Sequence, residues 1–250
     1  MKKFLLLIYR IYALAFLGIL WGIVILSSFP LSLFGEKGKE WLWYFFHYCN
    51  RIWLIAAGIR VQVENVAGEQ EAISDKKRYI IISNHSSYID TQILYGHCPV
   101  PFKILGEQEY SKVPLFGFFY KQVAVLIKRK NKLSRQNGIR QLSRFINKKW
   151  NVFIFPEGGI GVNPDTLLPF HNGAFWLATK SNTSILPVVL PDAIKRAPKG
   201  SLWNINPGIC RIIILPEMRV EDFENVESFK DSAFQQMNKA IINANRLRVK

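Results

Sequence analysis

Acidic residues and cysteines are scarce in this chain, and the signatures of the commonest hydrolases and nucleotide-binding enzymes are missing from it. Its 250 residues hold 18 Asp and Glu against 33 Lys and Arg, a net charge of +15. Such an excess makes a polyanion or an anionic membrane surface the expected neighbour. The three cysteines, Cys49, Cys98 and Cys210, are odd in number and far apart, with no C-x-x-C pair. A set like that builds neither a disulfide framework nor a zinc site, and a reducing compartment is the simpler reading. No G-x-S-x-G elbow marks a nucleophilic serine, and neither H-E-x-x-H nor a Walker P-loop occurs. No Pro/Gly/Ser-rich hinge, internal repeat or low-complexity tract divides the chain, whose length suits one sizeable core. The common nucleic-acid-binding signatures are also missing, so no nucleic-acid partner is expected.

Apolar and aromatic residues are plentiful instead. They make up 49% and 14% of the chain, with seven tryptophans, and Trp and Tyr settle where one end stays dry and the other wet, as at lipid headgroups. A bilayer is therefore the favoured neighbour. Residues 4–26 read FLLLIYRIYALAFLGILWGIVIL, with Arg10 as the single charge. As a helix this run is long enough to cover the ~30 Å hydrocarbon core. A cleaved signal peptide would have an apolar core of only ~7 to 15 residues and a small-residue cleavage site, which VILSSFP does not offer. A second apolar stretch, residues 41–59, carries His47, Asn50 and Arg51 at its middle. Charge there is costly in a spanning helix and natural in one lying in the interface. Lys2 and Lys3 on one side of the first run are matched by Lys37 and Lys39 on the other, so the positive-inside bias sets no orientation. Residues 1–58 are accordingly expected to form a membrane-embedded helical hairpin; the alternative is a buried pair of core helices.

Past Gly58 short β-rich runs begin at Arg60, Arg78, Val123, Asn151, Ser184 and Cys210, and polar helical stretches separate them. This alternation predicts an α/β fold over residues 59–250, with a mixed, mostly parallel sheet flanked by helices. Functional sites in such folds gather at the carboxyl ends of the strands. The run YIIIS delivers Asn84 and His85 into a turn, and SYIDTQILYG then opens a helix with Asp90 in its first turns. An imidazole with a pKa near ~6.5 accepts a proton at neutral pH, and a carboxylate on its other nitrogen fixes the tautomer and stabilises the cation. With no serine nucleophile marked, such a base would activate a hydroxyl of a substrate. The competing interpretation is that Asn84, Ser86 and Ser87 merely cap the helix while His85 bonds a loop carbonyl. Two other strand ends carry chemistry: NVFIF runs into Glu157, Gly158 and Gly159, where glycines let backbone N–H groups approach an anion. AVLI runs into Lys128, Arg129 and Lys130.

Four blocks in order extend the pattern: N-H-x-x-x-x-D at Asn84, His85 and Asp90; KVPLFGFFY at Lys112 to Tyr120 before a strand ending in Arg129; F-P-E-G at Phe155 to Gly158; and SILPVV at Ser184 to Val189. Together they resemble the glycerophospholipid acyltransferase family, especially the lysophosphatidic acid acyltransferases, over roughly residues 60 to 250. The family's membrane-embedded N-terminal helix pair is similar to residues 4 to 59. The resemblance implies that His85, held by Asp90, takes the proton from a lysolipid hydroxyl as it attacks an acyl thioester of coenzyme A or acyl carrier protein. It implies no metal or other cofactor, a membrane location and a lysophospholipid acceptor; a hairpin embedded from one side of the membrane would then place the catalytic domain on the cytoplasmic face, where thioesters are made. Arg129 would neutralise the acceptor's phosphate, and Glu157, Gly158, Gly159 and Asn84 would line the acceptor site. This chain departs from the family pattern at three places: Ile160 stands where an arginine is common, Glu107 where a lysine is, and Lys128 where an aspartate is. These departures keep open a rearranged phosphate site, or another lysolipid or an acylated amino acid as acceptor. From a different class, an inactive module gripping anionic lipid is the remaining alternative.

Overall fold

The computed structural model describes residues 2–66, 77–128, 130–148, 150–199 and 202–246. The two long helices come first: α1 is Lys2–Ser32 and α2 is Gly35–Ala56. They pack on each other through a tight turn at Leu33 and Phe34. The helix α2 starts before Trp41, because the polar stretch 36–40 still has helical periodicity and Glu36 pairs with Lys39 at 2.8 Å.

Seven strands follow in one sheet: β1 Ile59–Asn65, β2 Ile80–Ser83, β3 Phe102–Glu107, β4 Ala124–Ile127, β5 Asn151–Ile154, β6 Ile185–Val189 and β7 Gly208–Ile214. Their spatial order is β1-β7-β6-β2-β5-β3-β4. The five strands from β6 to β4 are mutually parallel; β7 runs antiparallel to β6, and β1 is parallel to β7. Every residue of β2, β5 and β6 is buried, as expected of strands covered on both faces. One face packs on α1, α2, α3 (Asp90–His97) and α4 (Phe116–Val123). The other packs on α5 (Lys132–Asn147), α6 (Gly173–Ser181) and α8 (Val226–Arg246), and the short α7 (Ala193–Arg196) precedes β7.

The strand β3 is absent from the pattern of apolar runs because Lys103 interrupts it. In the fold Lys103 is buried, its ammonium 4.0 Å from the centre of the Trp150 ring and bonded to the carbonyl of Gln122. A cation over an aromatic face is stabilised without a carboxylate. Burial still works against its charge and lowers its pKa to about 7.

The helix α1 is docked along its length rather than standing free. Tyr9 donates from its hydroxyl to the carbonyl of Ala57 at 2.7 Å, and Trp53 from its indole to that of Ala13 at 2.8 Å. Arg10, the charge inside the apolar run, donates to the carbonyl of Ile205 at 3.4 Å and to Asn206 Oδ1 at 3.3 Å. Further along, Gln122 of α4 donates to the carbonyl of Ser28 at 3.2 Å. Yet Phe4, Leu7, Ile11, Ile19, Ile23 and Leu26 remain exposed on the same helix.

Candidate active site

The strand β2 ends at Ser83, and its chain passes through a six-residue turn into α3, which begins at Asp90 itself. This short connection folds Asp90 back over the turn. Its Oδ2 lies 2.8 Å from His85 Nδ1 and also accepts the backbone N–H groups of Ser86 and Ser87, each at 2.8 Å. Asp90 is fully buried, and its Oδ1 has no partner among the described residues. To bond a carboxylate, Nδ1 must donate, so the lone pair sits on Nε2. The imidazole stacks on Phe155 at 4.0 Å with a 14° interplanar angle, which fixes the ring plane.

The serines do not close the helix end. The N-cap of α3 is Ile89, without a side-chain bond, and Ser86 Oγ is buried with no partner among the described residues. Ser87 Oγ accepts from the Ile89 N–H at 3.2 Å and donates to the carbonyl of Ala197 at 2.6 Å, tying the turn to the end of α7.

Glu157 reaches the site from the loop after β5. Its Oε1 accepts the backbone N–H of His85 at 2.8 Å and its Oε2 that of Leu168 at 2.7 Å. Burial raises its pKa above the usual carboxylate value, opposed by those two bonds. The carboxylate thus spans two loops and holds the backbone of the histidine; it faces peptide groups. A second tie runs from the Gly161 N–H to the His85 carbonyl at 2.7 Å. Gly158 has φ +64, and a Cβ there would lie 2.7 Å from His171 Cδ2, so the turn requires glycine. Gly159 has open space around it. Asn84 is buried and clamps the loop after β6, accepting from the Leu190 N–H at 2.7 Å and donating to its carbonyl at 3.3 Å. The residues named from sequence as acceptor contacts are therefore, at Glu157 and Asn84, occupied with the backbone of the site.

Arg129 lies outside the described residues. Its neighbour Lys128 is exposed and donates its backbone N–H to Ser134 Oγ at 2.9 Å. The sequence reading did not single out Lys199: its ammonium donates to the carbonyl of Ile160 at 2.9 Å. Ile160 directly precedes Gly161, whose N–H bonds His85. A cation is thus fixed on the loop at Ile160. No pattern signals this, since Lys199 follows a proline in an irregular stretch 39 residues away. Beside the imidazole is a cavity of about 10 Å³, lined by Asn84, His85, Ser86, Glu157, Gly161 and Leu190 among others. It has room for about one water. No group of three or more His, Cys, Asp or Glu among the described residues is placed to hold a metal.

The family model described as Acyltransferase matches residues 61–191, more than half of the chain. The chain belongs to the Acyltransferase family. Within it, a Caenorhabditis elegans protein provisionally named as a 1-acyl-sn-glycerol-3-phosphate acyltransferase is 31% identical over 175 residues, 68% of this chain and 63% of that protein. A chloroplastic 1-acyl-sn-glycerol-3-phosphate acyltransferase of Brassica napus is 26% identical over 193 residues, 77% of this chain and 55% of its own length. The chain thus spans between about half and two thirds of the curated relatives it matches. The fold of this Acyltransferase chain is that of a Thermotoga maritima crystal structure titled as the 1-acyl-sn-glycerophosphate acyltransferase PlsC. The TM-score is 0.76 at 20% identity, over 98% of this chain and 96% of that one.

Proposed function

We propose that this chain transfers a fatty acyl group from a thioester to the free hydroxyl of lysophosphatidic acid, making phosphatidic acid for phospholipid synthesis. The observation that carries this reading is the 2.8 Å contact between His85 Nδ1 and a buried Asp90, which leaves the lone pair of the imidazole on Nε2. Relatives named for that reaction support the choice of acceptor. In the proposed step the acceptor oxygen attacks the thioester carbonyl as its proton passes to Nε2. The tetrahedral intermediate then collapses, the C–S bond breaks, and the imidazolium protonates the departing thiolate. The thioester, of coenzyme A or acyl carrier protein, is already activated, so the step as written needs no metal or other cofactor.

Lys199 and Arg129 are assigned to the acceptor's phosphate, Lys199 from its hold on the Ile160 carbonyl and Arg129 from the family resemblance. The test is an acyl-transfer assay on purified protein with both thioester donors and a panel of lysolipids with and without a bare phosphate monoester. Lysophosphatidic acid should be acylated fastest. Lys199→Ala and Arg129→Lys should each raise its KM, the second because a lysine cannot present a bidentate fork. Faster transfer to a different lysolipid, or variants with unchanged KM, would move the acceptor assignment elsewhere; no transfer to any acceptor would favour a non-catalytic lipid-binding role.

The protein is further assigned to the membrane, with α1 and α2 embedded from the cytoplasmic face. From Arg10, held by the loop at Ile205, to Ser28, held by α4, is 18 residues, roughly 27 Å of helix at 1.5 Å per residue. A helix fastened to a water-soluble layer over such a length cannot cross the bilayer without drawing that layer in. Its exposed apolar side can still lie in one leaflet. Labels at the N-terminus and at residue 120 should be reached from the same side of sealed vesicles; access from opposite sides would overturn the one-leaflet arrangement.

A further inference from the structure

Between β3 and α4 lies a segment that neither the chemistry at His85 nor the α1–α2 hairpin uses. A 3₁₀ turn, Gln108–Lys112, leads into a hairpin bend in which the Phe116 N–H bonds the carbonyl of Pro114 at 2.6 Å. This i→i+2 bond closes a γ-turn around Leu115, held at φ 61 and ψ −54, a backbone state that non-glycine residues rarely occupy. The bend is braced on both sides: Gly117 N–H bonds the Val113 carbonyl at 2.8 Å, and a Cβ on Gly117 would lie 2.1 Å from the Ser111 carbonyl oxygen. Rigid backbone thus presents apolar side chains to the outside. Leu115 is 60% exposed, and Tyr110, Val113 and Phe118 are exposed beside it.

We propose that this bend is a second membrane-inserting element, a wedge that seats Leu115 and its neighbours in an anionic bilayer alongside the hairpin. Two observations select the lipid surface as occupant. The patch is continuous with the exposed side of α1: the Phe118 ring stacks on Phe29 at 4.3 Å, and Phe116 stacks on Trp21 at 5.6 Å. Beyond Phe29 the same surface continues to the exposed Leu33 and Phe34. It is also edged by the exposed Lys112 and Lys121, which suit anionic headgroups. The bend emerges at the carboxyl end of β3, and β3, β5 and β2 are parallel, so it sits at the same end of the sheet as His85. A wedge there holds the catalytic end against the surface that supplies the lipid acceptor. The inference rests on the membrane-facing assignment of α1 and α2, and its test separates the two.

The three native cysteines are buried, so Leu115→Cys in the full chain offers one accessible thiol for an environment-sensitive fluorophore; Leu33→Cys is the matched control on the hairpin. On vesicles of phosphatidylcholine with phosphatidylglycerol, both labels should shift to the blue and be quenched by shallow brominated lipid. A lipid-quenched label at 33 with a water-exposed label at 115 would overturn the wedge and leave the hairpin; water-exposed labels at both would overturn both. A blue shift at 115 that depends on protein concentration and not on lipid would assign the patch to a second copy of the chain and overturn the proposal. Leu115→Gly supplies an independent arm, because glycine adopts this φ freely. It should melt no lower than the parent and turn over detergent-dispersed lysolipid normally, yet lose several-fold in rate on acceptor embedded in vesicles. Equal loss in both formats, or in neither, would contradict the wedge.

Discussion

His85→Ala is expected to lose about 10²- to 10⁴-fold in turnover at saturating donor and acceptor, the usual value of a positioned general base. Asp90→Asn should lose less, for a reason visible in the geometry. One oxygen, Oδ2, takes all three bonds to Asp90, from the imidazole and from the Ser86 and Ser87 N–H groups, and Oδ1 has no partner among the described residues. An asparagine can put its carbonyl oxygen in the Oδ2 position and keep the turn and the tautomer. It loses the negative charge that stabilises the imidazolium. Asp90→Ala, by contrast, strands two backbone donors and should cost stability as well as rate. The double variant His85→Ala with Asp90→Asn should be little slower than His85→Ala alone, since groups serving one proton transfer are strongly non-additive. Rates are to be measured on protein shown folded by its thermal melt. If His85→Ala keeps more than about a tenth of the parent turnover, general-base catalysis at this residue is excluded.

The His85 and Asp90 pair was legible in the sequence because it is local. Five residues across a strand-to-helix turn leave little choice about where the side chains meet. The parallel pairing of most of the sheet was legible from the alternation of strands with helices, which implies crossover connections; the order of the strands was not. What the sequence hid is non-local. Glu157 is 72 residues from His85, and the F-P-E-G block suggests an acceptor pocket; that its carboxylate takes the His85 and Leu168 N–H groups depends on how two loops meet. Asn84 likewise spends both ends of its amide on Leu190, 106 residues on. Lys103 concealed β3, since a buried lysine between apolar neighbours breaks the periodicity that marks a strand, and the partner that makes it tolerable, Trp150, is remote in sequence. Arg10 stood out only as the single charge inside an apolar run, and its partners Ile205 and Asn206 are 195 and 196 residues away in sequence.

Glu157→Gln separates a bracing role from a pocket role for that carboxylate. The native side chain accepts on both oxygens from backbone donors, whereas glutamine has one acceptor oxygen and turns an NH₂ towards the second donor. Either the His85 or the Leu168 peptide must then lose its bond and shift. A displacement near 1 Å in a catalytic group costs roughly 10²-fold, so turnover should fall by about that factor with acceptor KM little changed. A variant with normal turnover and a raised acceptor KM would instead make Glu157 part of the acceptor pocket. The pH dependence of stability offers a second readout. Burial raises the pKa of Glu157 in the folded protein, so the native state binds this proton more tightly than the unfolded chain does. The resulting stabilisation is complete below the ordinary glutamate value of about 4.3 and is lost as pH rises through the raised folded value. Glutamine does not titrate. The melting temperature of the parent relative to Glu157→Gln should therefore improve as pH falls from neutrality towards that ordinary value. A difference that stays flat, or moves the other way, would mean that the two backbone bonds outweigh burial and hold the carboxylate ionised throughout.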